Sequence, residues 1–552
     1  MTQRHSFLRT ALNVIPAFDR SRRRCRRLFK CVLTGLTIVG VSMACAEGRV
    51  EVPIPTTAQV GAACLPDEIR PVSAPFPIPE FKKPKFPGLK VQITGYGAEA
   101  GTMATRAIQA AIDDVSSKGG GTVVVPAGEW LTGRLSLKNN VNLHIEEGAE
   151  VNFSGNVADY RPAVFTRNEG VEVMSLGALI YANAQTNIAV TGKGTLIGPP
   201  RDCEVRRQVM NASVIEEFIN AGTPVEERIY EGHEGSYVFL PMFISPINCT
   251  NVYIEGVTLE QTAFWNIVPV YCDGVIIRGV TVNSVGIPRG DGIDIESSRN
   301  VLIEYSTLNC GDDCFTMKAG RGDDGLRVNR PTENVVVRYC LAKKGHGGIT
   351  LGSETAGQIR NLYLHDCVFD GTGVGIRFKT RRPRGGGGEN VMLERIRMDL
   401  SGTAIKADML GSRRYVGELA DRLPSREVNS LTPFYRNVSV KDIIVNTSGQ
   451  FLNIIGIPES PFSDLSIENA EVKSSRLIRI SDAEGVSFKA MNIQSDDVVI
   501  DLLDARDLLF DDVRFTVPGS EVVAEIQGDR ATNIRFENCL PEKPKGWETT
   551  TR

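Results

Sequence analysis

From Asn140 to Phe536 one short pattern recurs: Asn or a substitute, an aliphatic residue, any residue, then an aliphatic residue or Phe. It appears as Asn140-Val141-Asn142-Leu143, Asn187-Ile188-Ala189-Val190, Asn251-Val252-Tyr253-Ile254 and Gly274-Val275-Ile276-Ile277. It returns at Asn300, Asn334, Asn361, Asn390, Asn437, Asp464, Gly485, Asp507 and Asn533. From Val252 onward the first aliphatic residue falls at 275, 301, 335, 362, 391, 438, 465, 486, 508 and 534. Most of these gaps are 21 to 29 residues; the exceptions, 34 and 47, should hold longer loops. Each unit carries short alternating strands and no helix-length period. A unit of that kind cannot bury its apolar face alone, but stacking coil upon coil buries it, which predicts an all-β, right-handed parallel β-helix. Asn suits the bend, since it tolerates the left-handed conformation and bonds backbone groups, and stacked Asn side chains can continue as a ladder. A leucine-rich repeat, the rival solenoid, would need a Leu spacing and a helical half that are missing here. Ahead of the coils, residues 105–115 place Ile108, Ala111, Ile112 and Val115 on one helical face. This predicts a short N-terminal capping helix that plugs the open end of the solenoid.

The ends of the chain read differently. Residues 1–46 hold nine Lys or Arg and one acid, then a run of about 16 mostly apolar residues, then Ala44-Cys45-Ala46. That is the order of an export signal, with a short membrane anchor as the alternative and Cys45 as a poorly fitting lipid-attachment site. Export predicts a periplasmic, secreted or surface-associated protein with no stable membrane insertion once the signal is removed. Residues 47–89 form a Pro-rich extension, an extended strap or a linker, with nine prolines between 51 and 90, and residues 90–545 form the solenoid. Without residues 1–46 the chain keeps 53 basic and 65 acidic residues, a formal charge of −12, which argues against a nucleic-acid partner. Aromatic residues are only 7% and Gly numbers 54, so the core is aliphatic and turns are many. Nine cysteines remain, an odd number, so they cannot all pair within the chain. Cys249 and Cys272 share one repeat position, and Cys340, Cys367 and Cys539 share another. Buried columns of small apolar side chains account for them, with a Cys340–Cys367 bridge as the alternative.

Candidate chemistry sits in four segments that follow the repeat turns in order: 289–296 (RGDGIDIE), 311–318 (GDDCFTMK), 345–352 (GHGGITLG) and 375–380 (GIRFKT). Neighbouring strands of a parallel sheet lie about 4.8 Å apart. Stacked coils would therefore bring Asp291, Asp312, Asp313, His346, Arg377 and Lys379 onto one surface. Three carboxylates so close repel one another, and at least one should keep its proton. Glycoside hydrolysis needs that division between an acid and a base, which inverting enzymes hold roughly 6.5–9.5 Å apart. Arg377 and Lys379 flank Phe378, so both face the same side, and a guanidinium fork beside an ammonium suggests a substrate that carries a carboxylate. Singly, Asp-Asp in a Gly-rich turn is turn chemistry and Arg-x-Lys a solvated strand face; their ordered return in consecutive coils is what points to a site. His144, His233 and His365 show no ligand spacing, so no catalytic metal or other cofactor is expected.

The run GDGIDIESSRNVLIEYSTLNCGDDCFTMKAG, followed by GHG and RFK, resembles glycoside hydrolase family 28, the polygalacturonases. Residues 105–149 (TRAIQAAIDDVSSKGGGTVVVPAGEW and onward) are similar to that family's N-terminal coil. The resemblance implies inverting, metal-independent hydrolysis of α-1,4-linked galacturonate in a pectic poly- or oligosaccharide. It implies Asp312 as general acid, Asp291 and Asp313 as the pair activating water, His346 as support for the acid, and Arg377 and Lys379 as holders of the galacturonate carboxylate. Two departures touch substrate contacts. Arg289-Gly290-Asp291 stands where the family has Asn-Thr-Asp, making Arg289 a further substrate-binding candidate. Leu410-Gly411 stands where Tyr-Tyr is usual, leaving Tyr415 as a substitute. Insertions at about 200–245, between Asp313 and His346, and at 381–389 suggest a cleft closed at one end and exo action. Arg321, Arg327, Arg330, Arg381, Arg382 and Arg384 would line it with positive charge. A rhamnogalacturonan or substituted-galacturonan hydrolase, a Ca²⁺-dependent pectate lyase and a non-catalytic polysaccharide-binding solenoid are the competing readings.

Overall fold

A computed structural model describes residues 50–207, 218–219, 221–233 and 238–547. The export signal expected at 1–46, with Cys45, lies outside these residues, as does part of the insertion at about 200–245.

The described chain is a parallel β-helix. A middle coil contributes three strands, Asp273–Arg278, Thr281–Asn283 and Ile293–Glu296, each hydrogen-bonded in parallel to its equivalent one coil further on. The repeat predicts the register residue by residue: Val252 pairs with Val275, Val275 with Val301, Val301 with Val335, Val335 with Leu362, and Leu362 with Val391. The Asn residues take the left-handed conformation at the bend, with φ between 51° and 58° from Asn140 to Asn533. Their side chains form the expected ladder. Asn361 Nδ2 donates to Asn334 Oδ1 at 3.0 Å, and Asn390 Nδ2 to Asn361 Oδ1 at 3.2 Å. The aliphatic positions stack inside as one continuous core. Helix α1 (Thr105–Ser117) buries Ile108, Ala111, Ile112 and Val115 against the first coils. All nine described cysteines are free thiols, and Cys340 and Cys367 sit stacked and unbridged.

The Pro-rich extension is a strap laid along one face of the solenoid, not a loose linker. Phe81 is buried there, and Ile69, Val72, Phe76, Ile78 and Phe86 pack beside it on Tyr253, Ile276, Leu302, Val336 and Tyr363. These last five are the variable third positions of the repeat, apolar where the strap covers them. Prolines lack the N–H that a further strand would donate, so arginines of the solenoid donate to strap carbonyls instead. Arg278 reaches Pro66 O at 2.7 Å, Arg338 reaches Pro71 O at 3.0 Å, and Arg397 reaches Pro55 O at 3.1 Å. Buried Glu304 bridges Arg278 (2.8 Å) and Arg338 (2.7 Å) and fixes both donors. Phe81→Ala is expected to cost about 3 kcal/mol of strap docking. Amide exchange should then speed up across residues 66–86 while the coils keep their protection; unchanged exchange there would refute the packing role.

Candidate active site

Four strands carry the site: β1 (Ile293–Glu296), β2 (Phe315–Lys318), β3 (Gly347–Gly352) and β4 (Val374–Lys379). They pair in parallel with Asp294 beside Thr316, Thr316 beside Thr350 and Thr350 beside Arg377. Alternation points Ile293, Ile295, Phe315, Met317, Ile349, Leu351, Ile376 and Phe378 into the core. The other face shows Asp294 and Glu296, then Thr316 and Lys318, then Thr350, then Arg377 and Lys379. Acids therefore gather on the upstream coils and cations on the downstream ones.

The three aspartates lie in the turns that enter β1 and β2. Those turns are lashed together by Gly292 N–H to Asp313 O (2.9 Å), Gly311 N–H to Gly290 O (3.2 Å) and His346 N–H to Asp312 O (2.9 Å). Glycine is needed for this approach: a Cβ on Gly311 would stand 2.1 Å from Ile287 O, and one on Gly292 2.6 Å from Cys314 O.

Asp291, Asp312 and Asp313 each place a carboxylate oxygen within 4.8 Å of the other two. The lashed turns hold these oxygens close together. Asp291 and Asp313 are buried, while Asp312 is half-buried and faces the cleft. Arg377 Nη1 lies 3.0 Å from Asp313 Oδ1, and Lys379 Nζ 3.6 Å from its Oδ2. His346 Nδ1 sits 2.8 Å from Asp312 Oδ1 with most of its ring exposed. Arg289 stands apart, paired with Glu169 at 3.0 Å.

The surroundings drive the carboxyls apart. Burial, then Asp294 and Asp312, push Asp291 well above the usual carboxylate range, against the pull of Lys318. Burial would also raise Asp313, but Lys379, Arg377 and Lys318 outweigh it and hold its carboxyl at about 2. The hydrogen bond to Asp312 raises the His346 imidazole, and partial burial opposes it. The same cluster thus pushes two neighbouring carboxyls in opposite directions, Asp291 up and Asp313 down.

Behind this trio lies a buried charge layer that the sequence reading missed. Lys318 Nζ is 3.2 Å from Glu354 Oε2, 3.6 Å from Asp294 Oδ1 and 3.9 Å from Asp291 Oδ2, and it lies 4.4 Å from the centre of the Trp265 ring. Burial lifts Asp294 to about 8 and Glu296 to about 7, against Lys318 and Arg167 respectively. The signal was available, since Asp294, Glu296 and Lys318 share the outward face of strands already singled out for Asp291 and Asp313. Among the described residues the three aspartates are the one group with metal-ligand spacing. Lys318, Arg377 and Lys379 already bring three positive charges within 4 Å of Asp291 and Asp313.

The six arginines of the insertions divide in two. Arg327 pairs with Glu172 and with Asp324 (3.2 Å), Arg330 lies on the Tyr271 ring, and Arg382 is forked onto Glu459. These brace loops. Arg321, Arg381 and Arg384 instead gather around buried Glu354 beside Lys379. Tyr415 is exposed and lies on Arg381.

A β-hairpin, Val164–Asn168 with Val171–Ser175, walls the upstream end. Its tip takes positive φ at Glu169 (45°) and Gly170 (81°), the conformation a two-residue hairpin turn requires. Glu169 bridges Arg289 and Arg321 (3.5 Å). Arg167 donates to Ser297 at 2.7 Å beside Glu296, and Tyr271 donates to Glu172 at 2.9 Å.

The family model described as glycosyl hydrolases family 28 matches residues 231–411, which include Arg289, the three aspartates, His346, Arg377 and Lys379 but not Tyr415. An exo-poly-alpha-D-galacturonosidase of Dickeya chrysanthemi is 28% identical over 326 residues, 55% of this chain and 54% of that protein. The chain thus spans about half of that relative. An endo-polygalacturonase of Pectobacterium carotovorum subsp. carotovorum is 26% identical over 360 residues, 63% of this chain and 78% of that one. Among solved structures, a hyperthermoactive exopolygalacturonase from Thermotoga maritima superposes with a TM-score of 0.66 at 30% identity, covering 76% of this chain and 93% of that one.

Proposed function

The chain belongs to glycosyl hydrolase family 28, and from that premise we propose that it is an exported, exo-acting hydrolase of α-1,4-linked galacturonate in pectic poly- or oligosaccharide. In this reading Asp312, the most open of the three carboxyls, protonates the leaving oxygen. His346, hydrogen-bonded to it, supports that proton. Asp313, kept ionised by Arg377 and Lys379, activates water together with Asp291. Arg377 and Lys379 also meet the galacturonate carboxylate, and Arg289 helps bind substrate from the walled end. One observation carries the reading: two cations and three carboxyls converge on one strand surface, so acid–base groups and a carboxylate holder stand side by side. The hairpin clamped at Glu169 to Arg289 and Arg321 supports exo action, because a wall at that place admits a chain end and not a chain middle.

The expected product from the first turnover is a short saccharide released from the chain end, of inverted anomeric configuration, with no ultraviolet-absorbing unsaturated product. Anomeric proton NMR on defined oligogalacturonides, with product sizing at early times, tests this. Early products of intermediate length would overturn exo action, and chelator-sensitive absorbing products would make it a lyase. A retained anomer would overturn the inverting reading.

A further inference from the structure

Arg381 stands out among the buried cations. Its residue is 8% exposed, yet its Nε has no acceptor, and among the described residues no carboxylate comes within ion-pairing distance of its guanidinium. Its neighbour Arg382 shows the ordinary arrangement, with Nη2 on Glu459 Oε2 at 2.7 Å. A guanidinium cannot shed its charge, so a buried one without a partner is costly unless an anion arrives. Glu354 is the carboxylate that acts on it most, from beyond ion-pairing distance and shared with Lys318, Arg384, Lys379 and Arg321; against the side chain itself lies an aromatic ring. The Tyr415 ring centre lies 4.6 Å from its Cζ, and Gly411 closes against its stem, where an added Cβ would stand 2.8 Å from Cδ. Burial lowers the guanidinium, Glu354 opposes that, and Arg321 adds to it.

Its place along the chain ties it to the cleft. Arg377, Lys379 and Arg381 occupy alternate positions, and the strand's hydrogen bonding runs on past β4 through Thr380 N–H to Asp408 O at 3.1 Å. Alternate residues lie about 6.6 Å apart along a strand. Arg381 is therefore too far from Arg377 to share its carboxylate, but near enough to meet one on an adjoining sugar. The fork of a guanidinium matches a carboxylate with two parallel hydrogen bonds.

We propose that Arg381, with Tyr415 stacked on it, is a second carboxylate-recognition site, which selects a de-esterified galacturonate next to the one held by Arg377 and Lys379. This rests on the galacturonan reading and names a specificity-determining residue within it.

The test uses the full chain carrying Asp312→Asn, so that substrate survives, with trigalacturonate and its methyl ester as calorimetric probes. Adding Arg381→Gln is expected to weaken trigalacturonate binding about 10- to 100-fold, the size of one charge-assisted, bidentate contact. Ester binding should stay within about threefold. Arg381→Lys, which keeps charge but not the fork, should lose less of the acid affinity and none of the ester affinity; it carries the test if Arg381→Gln fails to fold. Unchanged trigalacturonate affinity, or equal losses for acid and ester, would overturn the site while leaving the galacturonan reading intact. A parent that binds neither probe, together with a native enzyme inert on galacturonan, would overturn both.

Discussion

Asp312→Asn should slow hydrolysis of oligogalacturonide about 10²- to 10⁴-fold, the usual weight of a positioned general acid, while substrate affinity changes by no more than a few-fold. Asn keeps the shape and accepts the same hydrogen bond from His346 Nδ1, which now lies 2.8 Å from Asp312 Oδ1. What it cannot do is yield a proton to the departing oxygen. The choice of Asp312 over its neighbours follows from access. Asp291 and Asp313 are 3% and 1% exposed, too enclosed to reach a glycosidic oxygen, whereas Asp312 is open on the cleft side. Burial and its acidic neighbours push the Asp291 carboxyl up. Asp313, at about 2, stays ionised through the whole acidic range. The rate should accordingly be highest at acidic pH and fall as the cluster loses its proton on the alkaline side. Single-turnover rates of native and Asp312→Asn enzyme over pH 4 to 9 would check both statements. A native profile that is flat over that range, or a variant within tenfold of native, would remove Asp312 from its role.

Much of this was legible in the sequence because the repeat is strict. Asn at the bend and an aliphatic residue after it fix the register, and register alone brings Asp291 against Asp312 and Asp313 and sets Arg377 beside them. What stayed hidden follows from the same logic. The prolines of 51–90 allow an extended strap, but the third position of each repeat carries no pattern of its own, so the face it covers, over Tyr253, Ile276 and Leu302, was not legible. Outward-facing Asp294 and Glu296 look like solvated strand residues until Lys318 closes on the first and the hairpin's Arg167 on the second. Arginines in insertions look alike in a linear chain. Glu459, which claims Arg382, comes from a turn 77 residues further along, while among the described residues no carboxylate comes within ion-pairing distance of Arg381.

Lys318→Met should cost about 3–5 kcal/mol of stability at neutral pH, the penalty for removing one partner of a buried ionic group, and the loss should shrink in acid. Lys318 serves Asp291 and Asp294 on the coil before it, Asp313 at the head of its own strand, and Glu354 beyond β3, with Glu296 as its register partner. Lys379, Arg384 and Arg321 approach Glu354 from other sides but sit farther from the upstream acids. In the native protein Asp294 and Glu296 are lifted to about 8 and about 7. An unfolded chain releases such protons near pH 4. Between about pH 4 and pH 8 the folded state thus binds more protons than the unfolded one, and stability falls as pH rises. Asp313 and Glu354 act oppositely: their carboxyls are depressed, so the stability they lend is lost as pH drops below about 4. The native protein should be most stable in mild acid. Without the Lys318 ammonium the upstream carboxyls hold their protons more tightly still, which steepens the decline with rising pH and carries it further into the alkaline range. Urea unfolding of native and variant protein from pH 4 to 9 measures both slopes. Parallel curves would mean that Lys318 is only packed there and does not balance the acids around it.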